Sequence, residues 1–252
     1  MITITQITEN KMIDIHSHIL FDVDDGSKTL EQSINTLVQA QKIGVKVIVC
    51  TPHTKYGDVQ RRLKVNKNFE ILREIAKKYG IKLLLGNEIM LTSETSYLLS
   101  NKKIRTLNGS NYVLVEFKRN ENRSFNELLE QIENIMDLGY RIILAHPELY
   151  ANYQDIKLLK KLKNESIILQ LDATSVIKNK GNSKIYKFAK KMLDENLVDI
   201  VASDYHDNEK RNYQSYFESY NFISKRYGEE KVKNLFYNYP LYILTNAFNK
   251  KD

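Results

Sequence analysis

Seven short β-branched runs alternate with longer amphipathic stretches along the 252-residue chain, and this alternation sharply limits the folds open to it. The strand candidates are residues 13–19 (IDIHSHI), 45–50 (VKVIVC), 81–86 (IKLLLG), 112–117 (YVLVEF), 141–145 (RIILA), 167–172 (IILQLD) and 198–202 (VDIVA). Between them apolar residues recur at helical spacing. Leu30, Ile34, Leu37 and Val38 do so within 28–43, and Phe125, Leu128, Leu129, Ile132 and Ile135 within 125–138. The pattern returns over 184–195 and 214–227. Ser27 is placed to cap the first helix and Gly44 to end it. Strands alternating with helices predict a parallel α/β domain, and several strands are apolar on both faces, as a sheet covered on both sides requires. No G-x-G-x-x-G follows the first strand, which counts against a dinucleotide-binding sheet.

The chain is long enough to bury a full core, and with only 9 glycines and 3 prolines long flexible linkers are not expected. No apolar run is long enough to span a bilayer, so no membrane insertion is expected. The N-terminus has no basic start followed by an apolar block, so no signal peptide is read there. The single cysteine, Cys50, precludes an internal disulfide and fits a reducing cytoplasm. The net charge of +7 points only weakly to an anionic partner, because the lysines are spread over helix faces. No motif of a nucleic-acid-binding module is present, and a nucleic-acid partner is not expected.

The polar residues favour a barrel. The first run ends in His16 and His18, the second leads into His53, and the third into Glu88. The fourth ends with Glu116, the fifth runs into His146, and the seventh into Asp204 and His206. All five histidines therefore fall at strand C-termini, the functional rim of an α/β barrel. His16 and His18, two residues apart on a strand, share a face and can meet one ion; Asp204 and His206 repeat that spacing. Nitrogen and carboxylate donors without thiolates suit Mn²⁺, Fe²⁺ or Zn²⁺ in a working site. There are more such donors than one ion takes, so two or three ions are implied, an arrangement typical of phosphoryl and other hydrolytic chemistry. Of Asp22, Asp24 and Asp25, one is a plausible ligand and the others fit turn chemistry; spacing does not choose among them. Cys50 is rejected as a phosphatase nucleophile, because that loop needs an arginine six residues on and position 56 is Tyr.

Taken together, the segments MIDIHSHILFDVDDGS, TPH, GNEI, LVEF, AHPE and SDYHDNEKR resemble the polymerase-and-histidinol-phosphatase (PHP) superfamily. The resemblance is strongest to its bacterial manganese-dependent protein-tyrosine phosphatases, which regulate capsule and exopolysaccharide synthesis. It implies a distorted (β/α)7 TIM-like barrel spanning 1–252 as a single domain, with residues 1–11 as an N-terminal extension and Met12 as an alternative start. It also implies three metal positions. His16, His18, Glu88 and Asp204 would hold one ion; Glu88 would bridge to a second completed by Glu116 and His146; Asp25, His53 and His206 would hold a third. Arg211 matches a phosphate-binding arginine of the family. The family's H-x-E-R is here HPEL, with Leu149 where an arginine belongs, and Arg119 or Arg123 are candidates to replace it. Asp172 lies outside the family pattern and reads as a cap or turn residue.

The resulting expectation is a metal-dependent phosphomonoesterase acting on phosphotyrosine. Arg211 would hold a phosphate oxygen, Asp204 or His206 would supply a proton, and the partner would be an autophosphorylating bacterial tyrosine kinase. A PHP phosphatase for a small metabolite such as histidinol phosphate is the nearest rival, and a phosphoesterase of nucleic acid is third. A metal-binding regulatory module with weakened catalysis, marked by Leu149, comes from a different class.

Overall fold

The structure, a computed structural model, describes residues 12–54, 57–118, 123–177, 183–206 and 211–245. The N-terminal extension 1–11 and Arg119 lie outside the described residues. The strands are β1 (Met12–Ser17), β2 (Val45–Cys50), β3 (Lys82–Leu85), β4 (Glu88–Met90), β5 (Tyr112–Glu116), β6 (Arg141–Ala145), β7 (Ile168–Asp172) and β8 (Ile200–Ala202). The helices between and after them are α1 (Leu30–Lys42), α2 (Val59–Lys77), α3 (Thr95–Ser100), α4 (Phe125–Met136), α5 (Ile156–Asn164), α6 (Ser183–Asp194) and α7 (Tyr213–Tyr227). Helices α8 (Glu229–Lys233) and α9 (Tyr239–Thr245) flank a π-turn at Asn234–Asn238.

Every strand pair is parallel, in two ladders ordered β1-β2-β3 and β4-β5-β6-β7-β8. Isolated bridges join the ladders at Ser17–Tyr205 and His53–Glu88. On one side Asp204 N donates to His16 O and His18 N to Tyr205 O, both at 3.0 Å; on the other Thr54 N donates to Glu88 O at 3.1 Å. The fold is thus two parallel ladders linked by isolated bridges, and the expected site residues lie beside those bridges.

Two details differ from the expectations. The run at 81–86 ends as β3 at Leu85, and the chain re-enters a ladder as β4 at Glu88, so among the described residues eight short strands occupy the seven expected places. Asn87 explains the break. Its buried side chain donates to Pro52 O at 2.8 Å and accepts from Arg105 N at 3.1 Å, pinning the chain by bonds outside the ladder. Ser27 does not cap α1. Thr29 does, in a reciprocal capping box with Gln32, while Ser27 is buried in the preceding loop.

Side chains of the strands sort into two apolar layers. Val113, Val115, Leu144, Leu169 and Cys50 pack outward with helix residues such as Leu37, Leu72, Leu128 and Ile132. Ile13, Ile15, Val47, Leu114, Ile143, Ile168 and Ile200 form an inner cluster with Ile243 and Leu244 of α9. Each fully buried side chain of this kind stabilises by about 1.5–3 kcal/mol. Strict alternation would send His16 to the side opposite Ile15. Instead, β1 carries one extra residue relative to β2 between Asp14 and Ser17, so Ile15 and His16 can share the inner side. This bulge aims both histidines into the rim.

Candidate metal centre

The strand ends bring His16, His18, Glu88 and Asp204 into one buried cage. His16 Nε2 lies 3.2 Å from His18 Nε2 and 3.3 Å from both Glu88 Oε2 and Asp204 Oδ1. His18 Nε2 is 3.1 Å from Glu88 Oε2 and 3.6 Å from Asp204 Oδ1. These separations match the edges of a coordination polyhedron: donors about 2.1 Å from an ion stand about 3.4 Å apart in a tetrahedron and about 3.0 Å in an octahedron. Both Asp204 oxygens are buried without a hydrogen bond, although Arg211 Nη1 lies 2.9 Å from Oδ2. Arg211 compensates Oδ2, which leaves Oδ1, the oxygen facing His16 and His18 Nε2, as a buried anionic donor suited to a divalent ion.

The partners of the imidazoles set which nitrogen faces the cage. His16 Nδ1 meets Gln170 Oε1 at 2.9 Å, and His18 Nδ1 meets Asp24 Oδ2 at 2.8 Å. An acceptor on Nδ1 holds the proton there and leaves Nε2 with its lone pair turned inward, the usual outer arrangement of a metal-ligating histidine. Neither Gln170 nor Asp24 was singled out from the sequence as a positioning residue. A glutamine within the apolar run IILQLD was the available signal for the first.

Glu88 is shared. Its Oε2 belongs to the inner cage, while Oε1 lies 3.0 Å from His146 Nε2. Glu116 joins from the other side: His53 Nδ1 is 3.1 Å from Glu116 Oε1 and from Glu88 Oε2. His53 Nε2 faces outward to Asp25 Oδ1 at 3.4 Å, and His206 Nε2 approaches the same oxygen at 3.4 Å. Among the described residues four groupings of donor atoms result: His16–His18–Asp204, His16–Glu88–His146, His53–Glu88–Glu116 and His18–Asp25–His53–His206. His53 thus touches Glu116 as well as the Asp25 group in which the resemblance placed it.

The loop after β1 supplies the aspartates. Asp22 turns to the surface and pairs with Lys64 at 2.6 Å, Asp24 holds His18, and Asp25 faces His53 and His206. Gly26 makes this turn possible, since a Cβ there would lie 1.9 Å from His18 O. His146 and Asp204 themselves adopt left-handed backbone, with φ of 35° and 45°. Such conformations cost about 1–3 kcal/mol each and cluster at functional sites.

Arg211 sits against this centre, with Nη1 2.9 Å from Asp204 Oδ2 and Nε 3.3 Å from Asp172 Oδ2. Asp172 also accepts from Thr174 N at 2.7 Å, so it forms the expected turn and orients Arg211 too. His206 Nδ1 lies 2.7 Å from the Asp204 carbonyl, which only accepts, so that nitrogen carries the proton and Nε2 is the free donor atom. Arg123 donates to Gln131 and to the Leu91 carbonyl. Arg61, which the sequence did not mark out, donates to His53 O at 3.1 Å. Leu149 is half-buried at the rim. Cys50 is fully buried, and burial first, then the charge of Asp14, pushes its thiol far above the ordinary range.

Electrostatics follow from crowding acids around imidazoles. Burial pulls the His53 pKa down, but the bonds to Asp25 and Glu116 outweigh it and raise it to about 10. For His146, burial is likewise outweighed, here by Glu88, giving about 9. Glu88 is held well below its usual value: burial opposes this, and the surrounding histidines overcome it. A site that recruits protons this strongly offers dense negative potential to a cation.

Comparison with known proteins agrees with this geometry. Residues 12–245 match the family described as Capsular polysaccharide synthesis, CpsB/CapC. The chain is 38% identical over 242 residues to the tyrosine-protein phosphatase CpsB of Streptococcus pneumoniae, covering 92% of this chain and 98% of that protein. It is 35% identical over 245 residues to CpsB of Streptococcus agalactiae serotype III, covering 94% of this chain and all of the relative (100%). Among solved structures, one from a study of YwqE from Bacillus subtilis and CpsB from Streptococcus pneumoniae, described as unique metal-dependent tyrosine phosphatases, superposes with a TM-score of 0.83 at 28% identity, covering 94% of this chain and 95% of the other. The chain belongs to the CpsB/CapC family.

Proposed function

We propose that this protein is a metal-dependent phosphomonoesterase that hydrolyses phosphotyrosine in a protein, with Mn²⁺ as its ion. Its substrate is an autophosphorylating bacterial tyrosine kinase that controls capsule or exopolysaccharide synthesis. The observation that carries this reading is the Glu88 carboxylate, shared between the buried cage and the His146 and Glu116 side of the same cleft. Tyrosine-phosphatase relatives over nearly the whole chain support it. The open cleft of 650 Å³ bounded by Asp25, His53, Glu116, Lys28, Arg61 and Met90 suits a side chain presented by a protein more than an enclosed metabolite.

His16, His18, Asp25, His53, Glu88, Glu116, His146, Asp204 and His206 would hold two or three divalent ions. Such ions lower the pKa of water and neutralise phosphate oxygens. The chain's own residues position the reaction. Arg211, steadied by Asp172 and Asp204, holds a non-bridging phosphate oxygen and stabilises charge as it develops. With its Nδ1 proton committed to the Asp204 carbonyl, His206 acts first as a ligand through Nε2. A tyrosine phenolate, of pKa about 10, leaves without a proton from Asp204: burial would raise that carboxyl, but His16 and Arg211 outweigh it and hold it at about 2, so the expected donation from Asp204 is withdrawn. Transfer goes directly to water, because the buried Cys50 thiol is no available nucleophile.

The test is phosphate release from a tyrosine-phosphorylated peptide by metal-stripped protein with and without Mn²⁺, with histidinol phosphate in parallel. Mn²⁺-dependent turnover of the peptide, lost in His16→Ala, is expected. Turnover of histidinol phosphate alone would replace this reading with the metabolite enzyme. Leu149 sustains one second reading, a metal-binding module of weakened catalysis. Leu149→Arg separates the two, since a large gain from a near-zero baseline would favour the weakened module.

A further inference from the structure

Beside the metal centre lies a second cavity, of 220 Å³, that the chemistry above does not use. It shares His53, Thr54 and Arg61 with the cleft over Asp25 and Glu116, so the two spaces adjoin. Its cationic wall is Arg61, Arg62, Lys103 and Arg105, against one carboxylate, Asp58. That carboxylate is engaged as the cap of α2, accepting from Arg61 N at 2.8 Å. Among the described residues none of the four cations forms an ion pair with a carboxylate.

Two of the three guanidinium groups, those of Arg61 and Arg105, are held in place by neutral acceptors instead. Arg61 Nη2 donates to His53 O at 3.1 Å, while its Nε is buried without a hydrogen bond. Arg105 Nη2 donates to Asn66 Oδ1 at 2.6 Å, and its backbone N is tied to Asn87, the neighbour of Glu88. Burial, then the charge of Arg62, depresses the Arg105 pKa, as expected for cations crowded without an anion. Pre-placed guanidinium forks with donors to spare match a phosphate, which offers several acceptor oxygens and up to two negative charges, better than a single carboxylate.

We propose that the pocket of Arg61, Arg62, Lys103 and Arg105 is a second anion subsite that receives a phosphate carried by the same peptide chain as the scissile phosphotyrosine. This rests on the phosphatase reading above. Occupancy of both sites makes the second contact intramolecular, so a doubly phosphorylated chain binds tighter than either phosphate alone. The subsite then selects substrates by their second phosphate and leaves the chemical step unchanged.

The experiment compares three substrates of the Mn²⁺-loaded protein: p-nitrophenyl phosphate, a peptide with phosphotyrosine alone, and the same peptide with a phosphoserine placed one to four residues away on either side. Versions with glutamate at the second position distinguish phosphate from carboxylate. For the best spacing, KM falls about tenfold relative to the singly phosphorylated peptide, with kcat unchanged, and glutamate recovers only part of the gain. Arg62→Gln/Lys103→Gln, both exposed, and separately Arg105→Gln abolish that difference while KM and kcat for p-nitrophenyl phosphate stay as in the parent. Circular dichroism checks that the variants fold.

A labelled peptide carrying the phosphoserine and a phenylalanine in place of phosphotyrosine, followed by fluorescence anisotropy, reads the subsite without turnover. Binding that weakens in the variants is expected there. Equal KM for singly and doubly phosphorylated peptides at every spacing, or a difference that survives both variants, overturns the subsite. Failure to cleave any phosphotyrosine substrate while the phenylalanine peptide still binds in a variant-sensitive way overturns the phosphatase reading and leaves the anion pocket standing.

Discussion

The inner cage and the outer cluster of the same centre are built differently. His16, His18, Glu88 and Asp204 are at most 1% exposed and are fixed by strand backbone, by Gln170 and Asp24, and by the stitching of β1 to the segment after β8. Asp25 and His53 stand on loops, with side chains 62% and 30% exposed, and His206 follows a strand end. Burial and fixed partners are thus concentrated where Glu88 is shared, while the outer residues are left open to water. An ion in the cage is expected to bind tightly and persist, whereas one among Asp25, His53 and His206 exchanges readily.

Breaking the inner cage has the largest expected effect. In His16→Ala or Glu88→Gln the loss of Lewis acidity, worth several kcal/mol, lowers kcat/KM by about three orders of magnitude or more. Metal content measured by elemental analysis falls with it, and added Mn²⁺ does not rescue. Asp24→Asn is next. It keeps every direct donor but loosens the hold on His18 Nδ1, so Mn²⁺ affinity from titration drops by about 10–100-fold.

Asp25→Asn sharpens the contrast. Its exposed oxygen is replaceable by water, so turnover at limiting Mn²⁺ falls by about tenfold and recovers in excess metal. The smallest effect is on stability without metal. His146 and His53, with pKa raised to about 9 and about 10 from an ordinary 6.5, contribute stability in full below pH 6.5 and lose it as pH rises through 9 to 10. The Tm of metal-free protein therefore declines from pH 7 to 10. Metal-loaded protein lacks that decline, since ligation needs the histidines deprotonated.

Much of this was legible in the sequence, because strand periodicity and histidine placement are local signals. The 141–145 strand matches β6, and the run expected over 112–117 is β5 but for its last residue, since apolar β-branched residues and their flanking turns define both. The split of the third run was not legible: it depends on Asn87 reaching Pro52 and Arg105, partners distant in the chain. The bulge in β1 was hidden for a similar reason, being a mismatch with β2 that IDIHSH alone does not display. The separate duties of Asp22, Asp24 and Asp25 emerge only once Gly26 folds the loop across His18. Arg61 gave no signal, because a basic residue near a helix start reads as solvated surface until the cleft is seen beside it.

Anomalous diffraction at the manganese edge, from crystals grown with Mn²⁺, tests the shared role of Glu88 most directly. One peak is expected within His16, His18, Glu88 and Asp204, and a second across the Glu88 carboxylate, facing His146 and Glu116. An empty cage, or manganese found only at sites that do not touch Glu88, would contradict that role.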